Sequence, residues 1–239
     1  MEHWLDRTSL LIGEEGVAKL KGSHVLVVGL GGVGAYAAEQ LARAGVGKMT
    51  IVDGDTVNVT NRNRQLLALE STIGRPKAEV MAERIRDINP DIELEVINQY
   101  MKDEAIIELV SHPYDYIVDA IDTVAPKVFL LYYAKQNNQR IVSSMGAGGK
   151  FHPEMIQVAD ISQSHHCRLA FYIRKRLHRL GVQDGITVVF SPEPVDDSAI
   201  LKNVENEQNK VSNVGTISYI PAAFGIFCAS VVINGLLGK

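Results

Sequence analysis

Cysteine is scarce in this chain: there are two in 239 residues, Cys167 and Cys228, and no Cys-x-x-Cys pair. A thiolate zinc site needs several clustered ligands, so this spacing argues against one. The low count, with no N-terminal apolar segment of the secretory kind, fits a reducing compartment, and a cytoplasmic location is expected. An excess of positive charge is also missing. Lys and Arg total 24 against 28 Asp and Glu, a net charge of −4. The protein as a whole is therefore no general polyanion binder, and only a local basic patch can serve that purpose. Internal repeats are absent, as is any linker marking a second independent domain. The most apolar stretch, 220–237, is interrupted by Pro221, Gly225, Ser230, Asn234 and Gly235. It falls short of the ~20 residues a spanning helix needs. A buried helix is expected there, with Pro221 in its first turn, and no membrane is expected as a partner.

What is present is alternation. Apolar strand-like runs at 25–28, 49–52, 94–98, 116–118 and 140–144 are separated by helical patterns at 35–44, 77–88, 104–110 and 125–137. Residues 7–20 read as one or two short helices. Asn89-Pro90 ends the 77–88 helix, because the residue before proline disfavours helical backbone. Strands alternating with helices predict an α/β fold: a doubly wound, Rossmann-like, mostly parallel sheet. After Gly149 the pattern changes. Strands at 156–161 and 187–190 flank a basic helix at 166–180, and 195–214 is polar and turn-rich, expected to be a mobile loop. These elements form a C-terminal strand/helix extension. The domain reading is one unit over 1–239, with 150–239 as a substrate-binding and dimerisation extension of it.

Between the first strand and the first crossover helix lies Val-Leu-Val-Val-Gly-Leu-Gly-Gly-Val-Gly. Gly29, Gly31 and Gly34, with Gly32 among them, give the tight turn, the close backbone approach to phosphate and the helix–strand packing of a nucleotide cradle. The helix that follows offers its N-terminal N–H groups to an anion. Asp53, about twenty residues on and at a strand end, suits a ribose hydroxyl. These features alone leave several nucleotides open, a nicotinamide cofactor included.

The next segment separates them. Asp55 is followed by Asn61-Arg62-Asn63-Arg64-Gln65 and Gly74-Arg75-Pro76-Lys77. A dehydrogenase has no use for such a concentration of cations, whereas a triphosphate does. Asp122, at the end of a later strand, can hold Mg²⁺ beside phosphates. Arg62 and Arg75 read as solvated or structural, Asn63 as loop-shaping, and Asp119 as orienting its strand end.

On these motifs the chain resembles the adenylating enzymes that include the ubiquitin-activating enzyme and the bacterial activators of molybdopterin and thiamine sulfur carriers. The resemblance implies an ATP site. Asp53 would bind ribose. Asn61, Arg64 and Lys77 would contact phosphate, with Gln65 and Asp55 beside them. Asp122 would hold magnesium. Arg7 would reach the partner subunit's ATP, so a homodimer is implied. The sulfur-carrier activators usually carry paired zinc Cys-x-x-Cys motifs, and the ubiquitin-type enzymes carry a catalytic cysteine domain; both are missing here. The whole chain is instead similar to the dehydratases that act on threonylcarbamoyladenosine in tRNA. Thr60–Gln65, Gly74–Ile88, Asp119–Asp122, Ser144–Gly149 and Val158–Ile161 carry that similarity. It implies adenylation of the threonyl carboxylate, then attack by the neighbouring carbamoyl group with loss of AMP. Ring closure within one substrate is effectively unimolecular and needs no cysteine nucleophile.

The implied partners are a tRNA carrying threonylcarbamoyladenosine, and a sulfur-relay protein. Arg168, Arg174, Lys175, Arg176 and Arg179 on the basic helix are the expected tRNA contacts. The carbonyls of 145–149 are expected to hold a monovalent cation, Na⁺ or K⁺. Three rivals stand beside this reading: an adenylyltransferase for a ubiquitin-like sulfur carrier, an NAD-dependent oxidoreductase, and a non-catalytic nucleotide-binding scaffold.

Overall fold

A computed structural model describes residues 3–202 and 212–239. Seven strands make one sheet: β1 (His24–Val28), β2 (Lys48–Val52), β3 (Glu93–Ile97), β4 (Tyr116–Asp119), β5 (Ile141–Ser144), β6 (Gln157–Asp160) and β7 (Thr187–Phe190). Their order is β3-β2-β1-β4-β5-β7-β6. Every neighbouring pair is parallel except β6–β7. Parallel strands covered on both faces read as continuous apolar runs, which is why β1 and β4 show so plainly as Val-Leu-Val-Val and Tyr-Ile-Val-Asp.

The helices divide between the two faces. On one lie α2 (Gly34–Ala44), α3 (Lys77–Ile88) and α7 (Tyr219–Leu237), around Leu41, Met81 and Phe224. On the other lie α4 (Glu104–Leu109), α5 (Val124–Gln136) and α6 (Arg168–Arg179), around Ile106, Leu131 and Ile173. The doubly wound prediction is thus met, with the C-terminal part adding β6 and β7 to the same sheet and α6 and α7 to its faces. The first helix, α1 (Asp6–Lys21), is two short helices broken at Gly13, whose φ of 75° and ψ of 168° lie outside helical space. The chain kinks there; Leu10 and Leu11 are exposed while Leu5 seats against Gly45.

Two expectations need correction. Within 195–214, residues Ile200–Lys202 (β8) and Ser212–Val214 (β9) pair antiparallel, so the flanks are a built two-stranded ribbon rather than loop. The intervening 203–211 lie outside the described residues. The second concerns α7, which is apolar all round but buried along one face only. Phe224, Cys228 and Val232 are buried while Ile226 is 48% exposed. By length and composition it could cross a membrane, but its buried face packs on α2, β4 and β5 as a core helix would.

Close packing of α7 on α2 depends on Gly225. A Cβ there would lie 2.4 Å from the Val33 carbonyl oxygen and 2.8 Å from the Tyr36 Cβ. Gly225→Ala is therefore expected to cost about 1–3 kcal/mol, measured by urea denaturation. Because it pushes on the start of α2, it should also weaken nucleotide binding.

Candidate nucleotide site

The strand order reverses between β1 and β4, and in open α/β sheets ligands collect at the carboxyl ends of the strands at that point. The loop after β1 is held very tightly. Gly29 has a φ of 90°, and a Cβ there would sit 2.8 Å from the Ala120 oxygen. A Cβ on Gly34 would lie 1.7 Å from the Gly29 oxygen. No side chain caps α2; Ala35 N donates to Gly31 O at 3.3 Å, and the other N–H groups of the first turn can serve an anion.

Asp53 directly follows β2 and ties two loops together. One carboxylate oxygen accepts from Leu30 N at 2.6 Å, in the glycine loop, and the other from Asp55 N at 2.7 Å. Burial pushes its carboxyl up; the Lys77 charge and the two N–H donors pull it down, and burial wins. Each oxygen has a second lone pair for a ribose hydroxyl.

Lys77 opens α3 yet is buried. A cation at a helix N-terminus opposes the macrodipole, so local helix stability does not explain it. Its Nζ lies 2.7 Å from the Asp55 carboxylate. The Tyr100 hydroxyl donates to the same carboxylate, and that bond, chiefly, pushes the phenol up to about 12. Tyr100 was invisible to sequence reasoning, since nothing but the fold brings it there.

The Asn61–Gln65 segment comes over the cradle. The Gln65 side-chain nitrogen is 3.8 Å from where a Cβ on Gly31 would be, and the Arg64 oxygen 3.5 Å from the same point on Gly32. The Arg64 guanidinium donates to Thr60 O at 3.0 Å and Asn63 Oδ1 at 2.8 Å. Asn61 uses its side-chain oxygen to accept from Asn58 N at 3.1 Å, leaving its NH₂ group as the donor. Arg62 pairs with Glu70 and Arg75 with Glu83 at the surface, in keeping with their structural reading.

Asp122 is exposed on the loop after β4. That loop is set by a fully buried pair, Lys127 and Asp119, 2.7 Å apart. Lys127 also donates to Ile121 O at 2.9 Å, Asp119 accepts from Ile121 N at 3.1 Å, and Ser143 Oγ donates to Asp119 at 2.6 Å. Both polar groups of the residue before Asp122 are thereby pinned. Asp119 does orient the strand end; its partner Lys127 went unpredicted. Arg7 is not brought to this rim. It is exposed, two residues from Leu5, which packs beside Gly45 at the far end of α2.

A strap from the C-terminal part closes the site's flank. Gly149 N donates to Gly215 O at 2.7 Å, and Asn63 Nδ2 to Thr216 O at 2.9 Å. Pro221 touches the space a Cβ on Gly32 would fill.

The family model for ThiF proteins matches residues 5–239. The chain belongs to the ThiF family. The tRNA threonylcarbamoyladenosine dehydratase of Bacillus subtilis is 38% identical over 243 residues, covering 99% of this chain and 96% of that protein. The solved structure of the Escherichia coli tRNA N6-threonylcarbamoyladenosine dehydratase in complex with ATP has a TM-score of 0.88 at 36% identity, covering 100% of this chain and 97% of that one. The molybdopterin-synthase adenylyltransferase of Escherichia coli is 40% identical over 111 residues, only 46% of this chain and 44% of that protein.

In this ThiF-family chain the basic helix α6 begins at Arg168, two residues later than expected. Arg168, Lys175, Arg176 and Arg179 are exposed. Arg174 is not part of that display: half-buried, it donates to Ser164 O at 2.6 Å and to the Ser164 hydroxyl. It fastens α6 to the segment before it and is not displayed with the exposed cations. Tyr172 and Leu180 are 42% and 47% exposed, and the seated side is Ala170, Ile173 and Leu177. Sequence reasoning also missed Lys150, buried with its Nζ 2.7 Å from Glu193 O, where burial pulls the amine down. Both cysteines are buried and free, and burial pushes the Cys228 thiol up to about 12.

Proposed function

We propose that this ThiF-family protein is an ATP-dependent dehydratase acting on threonylcarbamoyladenosine in tRNA. One observation carries this reading above the sulfur-carrier alternative. The similarity to the dehydratases runs the whole chain, α6 and α7 included, whereas similarity to the sulfur-carrier activator stops at about half. The NAD reading leaves buried Lys77 and the Arg64 segment without a role.

In the proposed chemistry the glycine loop and the start of α2 hold phosphate, and Asp53 orients the ribose. Arg64, Lys77 and the NH₂ of Asn61 offset charge on the departing pyrophosphate, with Gln65 at the loop. The threonyl carboxylate attacks the α-phosphorus, and the carbamoyl group then attacks the acyl-adenylate and releases AMP. Mg²⁺ would be held through Asp122. The described residues contain no cluster of three or more acidic, His or Cys ligands, which suits an ion that takes one carboxylate and completes its shell with phosphates and water; bound there it would neutralise phosphate charge. We assign a monovalent cation, Na⁺ or K⁺, to the carbonyls of 145–149.

Arg7, exposed and away from its own cradle, fits service across a homodimer to the partner's ATP. With 150–239 as the substrate-binding and dimerisation extension, tRNA lies on Arg168, Lys175, Arg176 and Arg179. A sulfur-relay protein as partner and a cytoplasmic location complete the proposal.

The test is incubation with ATP, Mg²⁺ and threonylcarbamoyladenosine-containing tRNA, read by mass for loss of water from the nucleoside. Stimulation of pyrophosphate exchange by a carrier protein and not by this tRNA overturns the proposal. With both thiols buried, the double variant Cys167→Ala, Cys228→Ala is expected to keep dehydration within a few-fold of the parent, provided its melting curve stays cooperative. Loss of dehydration with the fold retained would reinstate a thiol intermediate.

A further inference from the structure

The outer face of α6 combines two kinds of group that ordinary solvated helices keep apart. Arg168, Phe171, Tyr172, Lys175 and Arg179 recur at three- and four-residue spacing and so share one side of the helix. The opposite side, Ala170, Ile173 and Leu177, is already seated in the core. Phe171 is 52% and Tyr172 42% exposed, so neither ring is needed to anchor the helix. The rings meet edge to face with centroids 5.5 Å apart, and the Arg168 guanidinium stands 6.0 Å over Tyr172. The helix carries no acidic residue, in a chain whose net charge is −4.

The place of this face matters as much as its composition. Cys167, the cap of α6, and Leu169 both pack beside Gly146 on the loop after β5. The helix therefore starts at the same rim as the phosphate cradle and runs away from it. A nucleoside delivered to that rim as part of a strand lays its neighbours along the beginning of α6.

We infer that Phe171 and Tyr172 are a stacking platform for unpaired nucleotides flanking the modified nucleoside, with Arg168, Lys175 and Arg179 holding the backbone phosphates around them. The inference rests on the tRNA reading above. Paired RNA offers little base surface to side chains, whereas loop bases can splay out and stack on aromatic rings and guanidinium planes. Charge complementarity selects a polyanion, and the two rings select one with exposed bases.

The two contributions separate by salt. Phosphate contacts release counterions and set the slope of affinity against salt; stacking does not. For the full-length protein with an anticodon stem–loop RNA, Phe171→Leu/Tyr172→Leu should weaken binding roughly ten-fold or more with the salt slope unchanged. Leucine keeps apolar bulk, so the fold is retained, and cooperative melting checks it. Lys175→Gln/Arg179→Gln should instead flatten the slope. The double leucine variant should bind a blunt duplex lacking the loop as tightly as the parent does. Parent-like affinity of that variant for the stem–loop, beside weakened binding by the glutamine variant, overturns the platform and leaves the tRNA assignment standing. Equal weakening on loop and duplex also overturns it. A leucine variant altered only toward phosphatidylserine vesicles would reassign the face to a lipid surface. Failure of the parent protein to bind or dehydrate tRNA at all brings down the functional reading itself, a result distinct from the others.

Discussion

Lys77→Met is expected to lower the rate of ATP–pyrophosphate exchange by about 10²–10³-fold, the range seen when a single pre-positioned electrostatic group is removed from an active site. Several observations support so large an effect. Lys77 is buried at the first turn of α3, where its charge works against the helix dipole, and it is held toward the site by Asp55. An ammonium desolvated in that way interacts with phosphate through a medium less screening than water. Methionine has a similar length and is well tolerated in buried positions, so the folded state should survive. Asp53 and its bonds to the Leu30 and Asp55 amides are not on the substituted side chain, so AMP should still bind. Exchange assays and AMP titration together check the prediction. Exchange within three-fold of the parent would remove Lys77 from the phosphate set.

Lys127→Met is expected to have the largest effect on stability. Lys127 and Asp119 are both completely buried. Removing one member of such a pair strands the other charge in the interior, typically at about 3–5 kcal/mol. For a chain of this size each kcal/mol lowers Tm by roughly 2–4 °C. Replacing both, as Asp119→Leu/Lys127→Met, removes the stranded charge and should recover much of the loss. It should not recover activity, because the N–H and carbonyl of Ile121 lose the groups that set the position of Asp122. Calorimetry paired with pyrophosphate exchange distinguishes the two effects. A double variant as active as the parent would mean that Asp122 does not depend on this buried pair.

Much of the fold was legible because the relevant signals are local. Residues 77–88 and 187–190 form the elements their patterns imply, since periodicity, Asn89-Pro90 and β-branched runs act over a few residues. The tight glycine turn after β1 was legible for the same reason. What could not be read depends on separation in sequence. Tyr100 joins Asp55 across 45 residues. Lys127 looks like one more polar position in a helix until β4 delivers Asp119 to it. Arg174 sits among exposed cations, and only the placement of Ser164 shows that it is committed to the backbone. In α7 the pattern is apolar on every side, so composition could not say which side faces the sheet.

The strap has a thermodynamic consequence. Asn63, in the cation-rich segment over the cradle, is bonded to Thr216, and the adjoining Gly215 is bonded to Gly149 on the loop after β5. Any ligand whose binding displaces Asn63 must stretch, break or carry along that chain of contacts, and its affinity then includes the energy of moving the β5 loop. Linkage makes the relation reciprocal: a second ligand that fixes Gly149 alters the affinity for the first by the same factor. Two hydrogen bonds thus tie the candidate nucleotide rim to the loop after β5, whose Gly146 lies against the start of the basic helix.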